Sequence, residues 1–321
     1  MRFRHAVWMT LSMATATALA TTVAVQKLDA DLNKQVQPFQ PWVVQCLQNL
    51  PLKTVTSCWT WLGNRNLPPA LREPTYRGYC SVFGCNVEEA SEPLSNYQTL
   101  HQFFARSLKP GARVFEQHAT LNAPSDGTIV NCGKIVNEQV EQVKGMTWKL
   151  TQLIPAQDWN RYKTGNNESL FFVITYLAPG DYHNFHSPCD WHIQQYRHRT
   201  GTLLPVAPAL MKRVVGLLAL NESVTLMGEW KYGILSMTAV GALNVGGIYL
   251  KRATITNDED EKTIDWQLGK GDEVGGFRFG SALLLVFSAP SDFQFSVNTG
   301  DKVLCGDAIG FLQSENPNKT V

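Results

Sequence analysis

A β-rich α+β fold, fronted by short N-terminal helices and preceded by one transmembrane helix, is what this 321-residue sequence predicts. Three observations lead there. Residues 6–25 carry no charge, and residues 27–118 repeat apolar side chains at helical spacing between prolines. After residue 121, short β-branched or aromatic runs alternate with Gly-Asp turns. The chain divides accordingly into a tail and membrane anchor (1–26), a helical membrane-proximal region (27–118) and a β-rich domain (119–321).

The uncharged stretch follows Arg2 and Arg4, and its twenty residues match the length a helix needs to cross a hydrocarbon core. Thr10, Ser12, Thr15, Thr17, Thr21 and Thr22 dilute its apolar character, and Ala18-Leu19-Ala20 resembles a signal-peptidase site. A cleaved signal and an organelle-targeting stretch therefore stand beside the anchor. For an anchor, the two arginines put the short tail on the positive side of the membrane and the body on the other.

Pro41 can open a helix over 42–50, where Val43, Val44, Leu47 and Leu50 recur at three- and four-residue steps. A second helix over 53–62 stops at Gly63 and carries Trp59 and Trp61. A third begins near Pro68-Pro69 and includes Leu71, Tyr76 and Tyr79. This Trp and Tyr content suits a membrane interface, and equally suits packing on the main domain. A further helix over 100–108 ends at Pro110-Gly111. Strands follow at 128–130, 170–176, 223–227, 234–240 and 283–287, with one helix over 208–220. Gly271-Asp272, Gly300-Asp301 and Gly306-Asp307 read as hairpin corners, and the charge run 257–262 as a solvated loop.

The balance of 28 basic against 27 acidic residues, with no basic block, excludes nucleic acid as an expected partner. Seven cysteines are scattered without a Cys-x-x-Cys pair, so zinc-ribbon and thioredoxin-like chemistry have no foothold. A Cys80–Cys85 disulfide is one option, and buried free thiols are the expected state for most of the seven.

Three segments hold the chemistry. His183 and His186 lie three apart between Pro179 and Pro188, in what reads as a rigid loop. As metal ligands they would recruit Cys189 or His192, but no second ligand pair is recognisable and no metal is expected. A structural histidine pair is the other alternative. Asp126, at the mouth of a strand, is either a turn aspartate satisfying backbone N–H groups or the carboxylate that orients a histidine base. Ser281 directly follows Gly280, and the Gly-x-Ser-x-Gly elbow is absent around it. The glycine leaves its carbonyl uncrowded. Attack by the serine hydroxyl gives an ester, elimination across Cα–Cβ breaks the chain, and hydrolysis leaves a pyruvoyl group that acts as an electron sink for an amine. Read from the residues alone, the argument reaches a Ser-His-Asp site in a β-rich domain.

The ordered set Ala123-Pro-Ser-Asp-Gly127, Tyr176-Leu-Ala-Pro-Gly-Asp-Tyr-His-Asn-Phe-His-Ser-Pro188, Thr238-Ala-Val-Gly-Ala-Leu-Asn-Val-Gly246 and Lys270-Gly-Asp-Glu-Val-Gly-Gly-Phe-Arg-Phe-Gly-Ser281 resembles the phosphatidylserine decarboxylase proenzymes. Ala178-Pro179-Gly180 is similar to the animal mitochondrial branch. The resemblance implies self-cleavage between Gly280 and Ser281 into a β chain (1–280) and an α chain (281–321) that stay together as a heterodimer. Asp126 and His186 would activate Ser281, and His183 would serve the decarboxylation step. The implied cofactor is a pyruvoyl group formed from Ser281, which takes the amine of phosphatidylserine as a Schiff base and releases phosphatidylethanolamine and carbon dioxide. The resemblance also implies the mitochondrial inner membrane, a single pass with the catalytic body on the intermembrane-space side, and admits a homodimer. Phe279-Gly280-Ser281-Ala282 departs from the family's usual Leu-Gly-Ser-Thr, which bears on the rate of processing more than on the reaction type. Gly246-Gly247, where the family tends to Gly-Ser, is a milder departure. Two alternatives remain. One is a serine hydrolase using Asp126, His186 and Ser281 without self-cleavage; the other is a lipid-binding scaffold with a decayed site.

Overall fold

The computed structural model describes residues 37–143, 146–154, 168–243, 247–255, 261–278 and 280–313. The anchor expected over 6–25 lies outside them, as do Phe279 and Gly246. Among the described residues no helix is long and apolar enough to cross a membrane.

Helices α1 (Pro41–Gln48), α2 (Leu52–Gly63) and α3 (Pro69–Phe83) form where the apolar spacing predicts them. Pro41 and Pro69 occupy first turns, where a missing N–H leaves nothing unsatisfied. One face of this region packs on the core through Val44, Leu47, Leu52, Trp59 and Tyr79, while Trp42, Leu50, Val55 and Trp61 stay exposed. Helix α4 (Leu100–Phe104) stops short of the expected 108. The backbone beyond it runs extended beside 89–91 instead: Ser91 N donates to Ser107 O at 3.0 Å, and Lys109 N to Glu89 O at 2.9 Å.

The strands are β1 (Leu121–Asn122), β2 (Gly127–Lys134), β3 (Gln139–Val143), β4 (Met146–Lys149), β5 (Glu168–Leu177), β6 (Asn184–His186) and β7 (Trp191–Arg199). After helices α5 (Pro208–Met211) and α6 (Leu217–Leu220) come β8 (Ser223–Trp230), β9 (Gly233–Val240), β10 (Ile248–Leu250), β11 (Glu261–Leu268), β12 (Glu273–Phe277), β13 (Ser281–Pro290), β14 (Phe293–Phe295), β15 (Lys302–Val303) and β16 (Ala308–Leu312). An eight-stranded antiparallel sheet runs in the order β11-β7-β8-β9-β13-β5-β2-β15. Two smaller sheets, β1-β16-β14 and β10-β12-β6, and the β3-β4 pair complete the described architecture. Strand β13 is buried on both faces from Ser281 to Ala289, which explains its unbroken apolar run.

Three expectations are corrected. The helix over 208–220 is two short helices. Gly216 between them has φ +68°, and the buried Gln142 amide takes the carbonyls of Met211 (2.7 Å) and Val214 (2.9 Å). The 257–262 run is not wholly loop, because Glu261 and Lys262 begin β11. The Gly-Asp pairs are not hairpin corners but turns that pass the chain from one sheet to another. In each the glycine has positive φ (91°, 97° and 96°), the conformation in which only glycine is unstrained. The aspartate carboxylate then accepts from the N–H three residues back, at Gly269 (2.9 Å), Asn298 (2.7 Å) and Leu304 (2.7 Å).

Candidate active site

Strand register brings four strand ends to one end of the large sheet. Thr128 pairs with Tyr176, Leu177 with Ser281, and Ala282 with Val240. The starts of β2 and β13 therefore lie beside the ends of β5 and β9. Asp126 immediately precedes β2, the turn leading to His183 and His186 immediately follows β5, and Gly280-Ser281 opens β13.

Ser281 is fully buried, and its hydroxyl has no hydrogen-bond partner among the described residues. An unpaired buried hydroxyl costs about 1–3 kcal/mol, so its retention invites a chemical explanation. Packing gives none for the preceding glycine: a Cβ built at Gly280 would meet Leu177 O at 3.7 Å, an ordinary contact. The 178–181 turn uses the same carboxylate cap as the Gly-Asp corners, with Asp181 Oδ2 accepting from Ala178 N at 2.7 Å. Burial pushes the Asp181 carboxyl above its ordinary range.

The two histidines are fixed differently. His183 donates through Nδ1 to Asp181 O at 2.8 Å, which leaves Nε2 as the unprotonated nitrogen. That nitrogen is buried without a partner among the described residues, and the ring lies 4.1 Å from the Phe104 ring. Burial, reinforced by the Arg106 charge, lowers the imidazole from 6.5 to about 3. His186, in what was expected to be loop, sits in β6. Its Nδ1 donates to Gly271 O at 2.8 Å, and its Nε2 accepts from the Tyr182 hydroxyl at 3.0 Å. Burial holds that phenol protonated, far above its ordinary pKa.

Asp126 is 4% exposed. Its Oδ1 accepts from Arg113 Nε and Cys305 N, both at 2.8 Å, and its Oδ2 from Arg113 Nη2 at 2.5 Å. The turn carrying it is tied to the histidine strand, since His186 N donates to Pro124 O at 2.8 Å. Asp126 and His186 are thus neighbours through the backbone, while their side chains take other partners. Arg113, the Tyr182 hydroxyl bond and the Gly271 carbonyl escaped the sequence reading. Arg113 stands in an ordinary Pro-Gly-Ala-Arg turn, and nothing local marks its partner.

Beside this end of the sheet a cleft of about 650 Å³ opens against α2, lined by Lys53, Thr56, Trp61, His198, Glu222 and Gly247. Glu222 O accepts from Gly241 N at 2.8 Å, one residue beyond the end of β9. Among the described residues no cluster of three His, Cys, Asp or Glu side chains is disposed to hold a metal. All seven cysteines are free, with Cys46 and Cys58 exposed rather than buried.

Comparison with known proteins shows what this chain is similar to. A family described as phosphatidylserine decarboxylase matches residues 100–311. The mitochondrial phosphatidylserine decarboxylase proenzyme of Pongo abelii is 37% identical over 305 residues, covering 84% of this chain and 74% of that protein. Proenzyme 1 of Schizosaccharomyces pombe is 34% identical, covering 86% and 84% respectively, and that of Saccharomyces cerevisiae is 32% identical, covering 84% and 74%.

Proposed function

The chain belongs to the phosphatidylserine decarboxylase family, and from that premise we propose that it converts phosphatidylserine to phosphatidylethanolamine and carbon dioxide after cutting itself between Gly280 and Ser281. The observation that carries this reading is the buried Ser281 hydroxyl, without a partner among the described residues, beside a glycine that packing does not require.

In the proposed cleavage, His186 Nε2 takes the hydroxyl proton as Tyr182 gives up its place on that nitrogen. Ser281 Oγ adds to the Gly280 carbonyl carbon and the C–N bond breaks as His186 passes the proton to the departing Ser281 nitrogen, leaving an ester. Loss of the Ser281 Cα proton expels the Gly280 carboxylate and opens the chain. The dehydroalanine that remains tautomerises, and water releases ammonia to leave a ketone at residue 281. The resulting pyruvoyl carbonyl supplies the electron sink for decarboxylation. We read His183, with its bare Nε2, as the group that handles a proton in the decarboxylation step.

Register supports a heterodimer of the two pieces. Strand β13 pairs with β5 and β9, β15 with β2, and β16 with β1, so the α chain (281–321) is woven into the β chain (1–280). The helical region (27–118) supports a membrane-facing role. Its described portion from 37 to 72 carries Lys53, Arg65 and Arg72 but no acidic residue, beside the exposed Trp42, Leu50, Val55 and Trp61. That pairing of apolar and basic side chains suits a bilayer containing anionic lipid. With the word mitochondrial in its relatives' names, the reading extends to an inner-membrane protein anchored through 6–25, its body (119–321) on the intermembrane-space side.

Denaturing intact-mass measurement of the full chain beside Ser281→Ala tests the cleavage. The expected result is a fragment starting at residue 281, lighter than one with a serine N-terminus, absent from the variant, and co-eluting with residues 1–280 on native gel filtration. One uncleaved mass in both samples would sink the pyruvoyl mechanism and revive the hydrolase alternative.

A further inference from the structure

Arg113 belongs to none of the motifs that located the site, yet it holds both oxygens of Asp126. Its Nε and Nη2 form a two-pronged contact at 2.8 and 2.5 Å, with the arginine side chain 11% exposed and the aspartate side chain 6%. Nη1 donates to Ala112 O at 2.7 Å, and Nη2 also reaches Glu89 Oε2 at 3.0 Å. The guanidinium is therefore anchored on three sides and cannot swing away from the carboxylate.

The acceptor count on Asp126 gives this contact a consequence. A carboxylate oxygen accepts about two hydrogen bonds. Oδ1 is filled by Arg113 Nε and Cys305 N, while Oδ2 takes only Arg113 Nη2 among the described residues. One acceptor position remains, on Oδ2, and the planar guanidinium sets the direction in which it points. A lysine would bring the charge without fixing the plane.

We propose that Arg113 is a positioning residue for self-cleavage, orienting Asp126 so that its remaining acceptor position takes the His186 Nδ1–H when that N–H leaves the Gly271 carbonyl and the histidine activates Ser281. The inference rests on the reading of Asp126 and His186 as the activating pair. It assigns Glu89 only the outer anchoring of Arg113, because the Glu89 side chain is 31% exposed and a partly solvated pair contributes little.

Pulse-labelled full-length chain, made by cell-free translation and chased, reports the rate of conversion directly. Arg113→Ala is expected to convert about 10- to 100-fold more slowly, as for other outer partners of reacting groups. Arg113→Lys should recover part of the rate, and added guanidinium ion should accelerate Arg113→Ala but not Asp126→Asn. Glu89→Gln should stay within about twofold of the parent. Parental conversion by Arg113→Ala, beside a slow Asp126→Asn, would overturn the inference alone. Parental conversion by Asp126→Asn would remove the activating-pair reading and the inference with it. A slow Arg113→Ala that ignores guanidinium, gains nothing from lysine and is matched by Glu89→Gln would make Arg113 a structural tether and overturn its positioning role.

Discussion

His183 and His186 stand three residues apart, and what each ring nitrogen touches separates the roles proposed for them. His186 has a nitrogen bonded to the Tyr182 hydroxyl; His183 has a buried one with no partner among the described residues. His183→Gln is expected to self-cleave, while its decarboxylation per processed chain falls about 10²- to 10⁴-fold. Carbon dioxide release from phosphatidylserine vesicles measures this, and parental turnover would remove His183 from the reaction. Because burial holds its folded pKa at about 3 against 6.5, the unfolded chain binds a proton that the folded chain refuses. This contribution to stability is complete above pH 6.5 and is lost as pH falls toward 3. The slope reaches up to about 1.4 kcal/mol per pH unit. Urea unfolding at about pH 5 and about pH 7 should show a smaller difference in His183→Gln than in the parent.

One turn does much of the positioning among the elements. Residues 269–272 pass the chain from β11 to β12, and the Gly271 carbonyl at their crest sets the tautomer of His186. Asp272 caps Gly269 N, while Lys270 Nζ reaches the carbonyls of Glu116, Gln117 and Ala119 at 3.1–3.3 Å. Gly271 N donates to Ser187 O, and Ser187 N to Asp272 O, at 2.9 and 2.8 Å. A Cβ at Gly271 would sit 3.2 Å from the Phe115 ring on a backbone with φ +91°. Gly271→Ala should therefore cost about 1–3 kcal/mol in thermal unfolding and slow self-cleavage by shifting His186. Unchanged melting and conversion would show that the turn absorbs a side chain freely.

The whole molecule sets a sheet end against a helical cap whose outer surface is apolar and basic. Trp42 and Trp61 are 67% and 61% exposed, a large apolar area to leave in water. Replacing both by serine should weaken co-sedimentation with phosphatidylserine vesicles by on the order of tenfold or more, from the apolar area withdrawn from the bilayer. Equal binding would place the membrane contact elsewhere. The cleft between α2 and the sheet is lined on one side by Trp61 of this surface and on the other by Glu222, whose carbonyl accepts from Gly241 N just beyond β9.

The sequence by itself determined the elements whose burial is written locally: the proline-opened helices, the doubly buried β13, and the ordered motifs that hold Asp126, His183, His186 and Ser281. It left β7 and β11 unread, because strands at and beside the sheet edge carry His192, Gln194 and Lys262 among their apolar residues and blur the period. Tertiary structure alone decided which partner each candidate site residue holds. Arg113 lies 13 residues from Asp126, Cys305 lies 179 away, and Gly271 lies 85 from His186. Periodicity reports how a segment buries its own side chains. A carboxylate's partners depend on which turns the sheets deliver to the same end, and that is settled only when the strands have paired.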